Sequence, residues 1–88
     1  MARTVKVMSI HEFKELMGTK KIVIKQSQKG SFYALDEAGL RIASVSEDAI
    51  SALAEKKPLV VLHLEDFGES WYLITKAADN PDNTVAEL

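Results

Sequence analysis

The chain has 88 residues, of which 47% are hydrophobic and 27% are charged, and its formal net charge is −2. This length allows one hydrophobic core, and the composition is typical of an ordered globular domain rather than a disordered chain. The absence of cysteine excludes disulfides, thiolate zinc sites and cysteine nucleophiles, and it fits a reducing cytoplasm. We therefore expect a cytoplasmic protein with one compact domain over residues 1–76 and a flexible polar tail over residues 77–88.

No segment of the sequence suits a membrane. The longest apolar run, residues 59–62, is far shorter than the ~20 residues that a membrane-spanning helix needs. The N-terminal residues contain no apolar run typical of a secretion signal, so we expect no signal peptide.

Charge is distributed unevenly along the chain. Residues 1–45 carry eight Lys and Arg against four acidic residues, a net charge of +4. Residues 46–88 carry three Lys against nine acidic residues, a net charge of −6. A chain with this balance is not a general binder of polyanions, but a local basic surface is compatible with its first half.

The first quarter of the chain predicts a helix. Residues 2–7 are compatible with either a short edge strand or a frayed arm. Ser9 and Glu12 have the spacing of a capping box, in which each side chain satisfies a free backbone amide at the start of a helix. Gly18 is a typical helix stop, so the pattern predicts a helix over residues 10–17.

A three-stranded antiparallel meander is predicted next. The first strand has Ile22 and Ile24 on one side and Lys21, Val23 and Lys25 on the other. Residues 26–30 are turn formers, and residues 32–35 resume the strand pattern. A four-residue turn then leads to a third strand over residues 40–45. One side of this third strand carries Arg41, Ala43 and Val45.

The remaining sequence predicts a second helix and a closing hairpin. Ser46 is a typical N-cap, and Pro58 prevents the helix from continuing. Residues 59–64 are apolar on both sides, which is typical of a central strand or of a strand that a partner chain covers. Together with residues 70–75 they predict a hairpin.

These elements predict an α+β fold in the order α-β-β-β-α-β-β. The sheet is expected to be mostly antiparallel and five-stranded, with two short helices on one face. The inward positions of the periodic segments predict a core that consists of Phe13, Leu16, Ile22, Ile24, Ile42, Ile50, Leu53, Val61 and Leu73.

Catalytic and metal-binding patterns are weak. His11 and His63 lie on separate elements, and neither belongs to a recognisable nucleophile motif. Their spacing does not suit a zinc site, and the acidic residues at 65–69 and 79–83 do not match a calcium loop. We expect a non-enzymatic protein that needs no metal and no other cofactor.

Basic and aromatic residues are concentrated in the predicted meander. Single-stranded nucleic acid is bound by lysines that follow its backbone and by aromatic rings that stack on its bases. One of Phe32 and Tyr33 must face away from the core, and alternation alone does not identify which one. The predicted nucleic-acid-binding residues are Lys21, Lys25, Lys29, Tyr33 and Arg41.

Two alternatives stay open beside this hypothesis. The lysines are also the residues that protect an edge strand from aggregation, in which case they form a solvated surface. Alternatively, the chain is a protein-interaction module, either a homodimer or a domain that binds another protein. Such a module would use residues 59–64 or the closing hairpin with Trp71 and Tyr72.

Residues 8–45 resemble small bacterial proteins, some of them carried on mobile elements. The resemblance lies in an S-x-x-E-F-K start, a K-I-x-I-K strand, a glycine turn and an S-F-Y strand, and it implies no activity. A curved antiparallel sheet with basic and aromatic residues is also similar in architecture to the coactivator/Whirly type of single-strand binder. The helix before the fourth predicted strand departs from the order of elements in that type.

Overall fold

A computed structural model describes residues 3–77 as a six-stranded sheet with two helices. The strands are β1 (Arg3–Ser9), β2 (Val23–Gln26), β3 (Phe32–Leu35), β4 (Arg41–Val45), β5 (Leu59–Asp66) and β6 (Glu69–Lys76). Helix α1 (Ile10–Met17) connects β1 to β2, and helix α2 (Glu47–Ala54) connects β4 to β5. The predicted α+β class is confirmed, whereas the predicted tail lies outside the described residues from position 78 onward.

The order of strands across the sheet is β1-β5-β6-β4-β3-β2. Every neighbouring pair is antiparallel except β4 and β6, which run parallel. The sheet therefore consists of two antiparallel halves, β1-β5-β6 and β2-β3-β4. Only two residue pairs join these halves, Ser44 with Leu73 and Val45 with Ile74.

The predicted number of five strands is wrong, because the N-terminal segment forms a sixth strand, which is one of the two structures that its sequence allowed. The mostly antiparallel pairing holds for four of the five neighbouring pairs, and β4 and β6 pair in parallel. β1 pairs with β5 along its whole length, from Arg3 opposite Asp66 to Ser9 opposite Val60. This pairing supplies the backbone hydrogen bonds that a frayed arm would lack. It also places the apolar β5 between two other strands, as its composition indicated.

Both helices begin at serine caps. The Ser9 hydroxyl accepts a hydrogen bond from the Glu12 N–H at 3.0 Å, and the Glu12 carboxylate accepts one from the Ser9 N–H at 3.3 Å, which completes the predicted capping box. Gly18 ends α1 with a φ of 69°, a conformation that glycine adopts without a steric cost. Ser46 caps α2 through the N–H of Ala49 at 3.1 Å. No helix of the described residues is long and apolar enough to cross a membrane.

Both helices pack on the same face of the sheet. The buried side chains of that face are Ala34, Ala43, Val45, Val61 and Ile74. They form one cluster with Phe13 of α1 and Ala49 of α2, while the small side chain of Ala52 is also buried. We call this side of the sheet the helix-covered face. We call the opposite side the open face, because within residues 3–77 no helix lies on it.

Most of the predicted core is correct, and three residues are misplaced. Phe13 and Val61 are fully buried. Four predicted residues are partly buried against the core: Ile22, Ile24, Ile42 and Ile50. Leu16 and Leu53 are 56% and 48% exposed, because neighbouring residues on each helix face the sheet in their place. Leu73 lies on the open face, where it pairs with Leu62 and Ser44. Its neighbour in β6, Ile74, takes the core position instead.

The β5–β6 hairpin closes through two residues, a shorter connection than the five residues that the predicted strands over 59–64 and 70–75 leave between them. Phe67 has a φ of 53° and Gly68 a φ of 79°, as in the type I′ turn, whose twist matches that of the flanking strands. Gly68 adopts this conformation freely, whereas the Cβ of Phe67 makes it costly. The Phe67 side chain is 77% exposed, so little packing offsets this cost.

We expect Val61→Ala to lower the free energy of unfolding by about 2 kcal/mol, because buried methyl groups are lost and a cavity remains. Urea unfolding followed by circular dichroism measures this change. Val60→Ala is the matched control, since Val60 neighbours Val61 in β5 but lies on the open face and is only partly buried. Equal losses in the two variants would contradict the assignment of a covered and an open face.

Phe67→Asn is expected to raise the free energy of unfolding by about 0.5–1 kcal/mol, because asparagine tolerates the left-handed conformation better than phenylalanine. Gly68→Ala should lower it by about 1 kcal/mol, since alanine carries the Cβ that this φ disfavours. Thermal and urea unfolding of both variants check these expectations. A less stable Phe67→Asn protein would mean that the ring has a packing role.

Candidate nucleic-acid interface

Cross-strand pairing identifies the side chains of the open face, since residues directly opposite each other share a face. One row crosses the whole sheet and consists of Val7, Leu62, Leu73, Ser44, Tyr33 and Lys25. The open face of β1-β5-β6, the apolar half, carries seven apolar side chains, Val5, Val7, Val60, Leu62, Leu64, Trp71 and Leu73, with the polar or charged Ser9, Thr75, Asp66 and Glu69 toward its two ends. The open face of β2-β3-β4, the basic–aromatic half, carries Val23, Lys25, Tyr33, Leu35, Arg41 and Ser44.

Three of the five predicted binding residues come together on the basic–aromatic half. Lys25 lies opposite Tyr33 in the β2–β3 pair. The guanidinium carbon of Arg41 lies 5.3 Å from the centre of the Tyr33 ring, within the range of a cation–π interaction. Arg41 Nη2 also donates a hydrogen bond to the Ser44 hydroxyl at 3.3 Å. Of the two adjacent aromatic residues, Tyr33 therefore faces away from the core, and Phe32 packs against it.

Arg41 reaches the open face through an irregularity in the β3–β4 pair. Simple alternation places Arg41 on the same side of β4 as Ala43, which is buried in the core. The register shifts between Ala34 and Leu35, so that Leu35 lies opposite Arg41 while Ala34 lies opposite Ala43. Such a β-bulge redirects the side chains beyond it. The predicted grouping of Arg41 with Ala43 and Val45 on one side of β4 is therefore wrong, because Ala43 and Val45 are buried, and the bulge is what brings Arg41 to Tyr33.

Lys21 and Lys29 lie at opposite ends of β2, apart from the group formed by Lys25, Tyr33 and Arg41. Lys21 precedes the strand by two residues and is exposed. Lys29 is exposed in the β2–β3 turn, which is closed by a hydrogen bond from the Gly30 N–H to the Ser27 carbonyl at 3.0 Å. Because β2 is an edge strand, the alternative of edge protection applies to these same lysines.

A cleft separates β4 from β6 below their two paired positions. Its volume is about 370 Å³, and it is lined by Arg41, Ile42, Ala43, Ser44, Ser70, Trp71 and Tyr72. Trp71 is 41% exposed there. The sequence alone did not associate Trp71 or Ser44 with the basic residues. No local pattern could do so, because these residues become neighbours only through the pairing of β4 with β6.

Negative charge lies at one end of the open face. Glu69 is paired with Asp66 beside the β5–β6 turn, and its side chain is exposed. By strand alternation Glu69 shares a face with Trp71. An anionic ligand is therefore attracted by Lys25 and Arg41 and repelled at this end of the sheet.

The two histidines lie in separate surroundings. His11 contacts Glu15 at 3.3 Å on the surface of α1. The His63 ring stacks on Tyr72 at 4.5 Å between ring centres, and Tyr72 in turn contacts Phe13 at 5.0 Å on the helix-covered face. Within residues 3–77, no three His, Asp or Glu side chains are grouped closely enough to hold a metal ion.

Comparison with family models, curated proteins and solved structures finds no match to this chain. The interpretation of the open face therefore rests on its own geometry. The two resemblances suggested by the sequence stay predictions.

Proposed function

We propose that the protein is a non-enzymatic domain that binds single-stranded nucleic acid on the basic–aromatic half of its open sheet face. The observation that carries this proposal is the convergence of Lys25, Tyr33 and Arg41 on one surface that no helix of residues 3–77 covers. Two cations beside an aromatic ring suit a ligand that alternates phosphates with bases.

The contacts of Arg41 suit phosphate binding. A guanidinium group has five N–H donors in one plane. When it lies over an aromatic ring, its donors still point outward in that plane and can reach the oxygens of a phosphate. One donor of Arg41 is engaged by Ser44, and this contact, together with the Tyr33 ring, restricts the motion of the side chain before a ligand arrives.

The positions of the other lysines suit a strand that runs along β2. Lys21 lies before this strand, Lys25 within it and Lys29 beyond it, so positive charge extends along the whole edge. A flexible single strand can follow this narrow band of charge. A rigid duplex would also meet the acidic end of the sheet at Glu69.

A homodimer is the second candidate function, and the apolar half is the observation that favours it. Seven apolar side chains lie there, and within residues 3–77 no other element packs on them. Asp66 and Glu69 lie on the same face beside the β5–β6 turn, so a second copy of the chain would meet the centre of the apolar half without ionic repulsion only where the two acidic ends are kept apart. Small domains commonly gain stability by such association.

The area of the open face determines whether the protein could form a homodimer and bind nucleic acid at the same time. Strands spaced by about 4.8 Å and rising about 3.3 Å per residue give the apolar half an outline of roughly 300 Å² and the whole open face roughly 500 Å². A stable protein interface buries about 800 Å² of accessible surface on each partner. The accessible area of a sheet face is larger than its flat outline, because side chains project from it. A second copy would therefore need the whole open face, and it would compete with nucleic acid for Tyr33 and Arg41.

If nucleic acid binds as proposed, the affinity for an oligo-dT strand should fall as salt rises, with a log–log slope of about −2 to −3 for three or four phosphate contacts. Lys25→Gln should weaken binding and reduce the slope by about 0.7. Tyr33→Ala should cost roughly 1–3 kcal/mol of binding free energy if a base stacks on the ring. Fluorescence anisotropy of a labelled strand at several salt concentrations measures all three quantities.

Lys6→Gln is the matched control for Lys25→Gln. Both lysines are exposed on edge strands, but Lys6 pairs with His63 on the helix-covered face. The two variants have the same net charge, so only the position of the lost charge differs. Equal weakening by both would show a general charge effect, and no binding at tens of micromolar in low salt would refute the nucleic-acid proposal.

If the homodimer forms, sedimentation equilibrium at high micromolar concentration should give a mass near twice that of the 9.7 kDa chain. Leu62→Lys should shift this equilibrium to the monomer, because it places a charge at the centre of the apolar half. Leu53→Lys is the matched control, since Leu53 is exposed on α2. A monomeric wild-type protein under these conditions would rule out the dimer, and dissociation by oligo-dT would support the shared surface.

A further inference from the structure

The cleft between β4 and β6 is open to solvent. Its volume of about 370 Å³ accommodates a planar ring that stacks against one wall rather than one that is enclosed. Trp71 supplies an exposed aromatic surface on one wall. Arg41 and Ser44 on β4 and Ser70 on β6 supply hydrogen-bond donors.

The strands themselves contribute polar groups to this cleft. β4 and β6 pair only at Ser44 with Leu73 and Val45 with Ile74. Below these positions, residues 41–43 and 70–72 line the two walls, and no ladder pairing joins them. Backbone N–H and C=O groups at such strand edges are available to a ligand, as they are at the outer edge of a sheet.

We propose that this cleft receives one unpaired base of a bound nucleic-acid strand, with Trp71 stacked on the base and Arg41 at the adjoining phosphate. This inference rests on the proposed function and adds a second aromatic contact to it. Arg41 lies both in the wall of the cleft and over Tyr33. A strand that leaves β2 at Lys25 and crosses toward β6 would therefore meet Tyr33, Arg41 and Trp71 in turn. Because Glu69 shares the face of Trp71, a base rather than a phosphate would lie beside Trp71.

The test uses the emission of Trp71, which is the only tryptophan of the chain. The full-length protein is titrated in low salt with a ten-nucleotide oligo-dT, with an abasic strand of the same length and charge, and with thymidine monophosphate. Stacking predicts that oligo-dT quenches Trp71 emission at the same concentrations at which anisotropy reports binding. The abasic strand should bind more weakly and leave the emission unchanged.

Substitution of Trp71 provides the second measurement. Trp71→Ala should weaken oligo-dT binding by roughly 5- to 150-fold, the equivalent of one stacked base, whereas Trp71→Phe should retain most of the affinity. Phe67→Ala is the matched control, because Phe67 is an exposed aromatic residue of the same hairpin that does not line the cleft. A thermal melt of each variant verifies that the sheet is folded.

The outcomes separate this inference from the proposed function. If anisotropy shows that oligo-dT binds while the Trp71 emission stays unchanged, the cleft is not the site of a base, and the proposed function still stands. Absence of any binding would overturn both. If the abasic strand quenches Trp71 as strongly as oligo-dT does, the emission does not report a base. If thymidine monophosphate quenches Trp71 at the same concentrations as oligo-dT, the cleft is a site for free nucleotides instead. Either result would overturn the inference.

Discussion

The parallel junction between β4 and β6 is the constraint on which the rest of the structure depends. It consists of two residue pairs, and it joins two antiparallel three-stranded units into one sheet. Ser46, the cap of α2, reinforces it directly. Its N–H donates to the Ile74 carbonyl at 2.9 Å, and its hydroxyl donates to Thr75 Oγ1 at 2.9 Å. The start of α2 is thereby tied to β6, and Ile74 lies in the centre of the core.

Both helices of residues 3–77 lie on one face of the six-stranded sheet, so within this part of the chain the other face has no helical layer. In this chain that face is mostly apolar on β1-β5-β6, whereas Lys25, Tyr33 and Arg41 lie on β2-β3-β4. The division matters for function because the two halves suit different ligands. Apolar side chains favour contact with another protein, since burial of apolar surface is favourable. Separated cations beside an aromatic ring favour a phosphate-bearing strand. A second copy of the chain would have to extend across the junction, since the apolar half alone is smaller than a stable protein interface.

The bulge in the β3–β4 pair and the short junction have a combined effect on the candidate site. The bulge turns Arg41 toward Tyr33, and the divergence of β4 from β6 leaves Trp71 beside Arg41 across a cleft. Irregular strand pairing is common next to binding sites, because it directs side chains out of the repeating pattern of the sheet. Here it creates a continuous polar and aromatic surface from the edge strand to the centre of the sheet.

The sequence by itself determined the local structure: the capped helices, the meander, the closing hairpin and the α+β class. Each depends on residues close in the chain, such as Ser9 with Glu12, whose contacts are set by helical or strand geometry. Only the tertiary structure decided the pairing of β1 with β5, the parallel pairing of β4 with β6 and the direction of Arg41. These features depend on the register between segments far apart in sequence. A one-residue shift reverses the face of a side chain while leaving the apolar pattern of each strand unchanged.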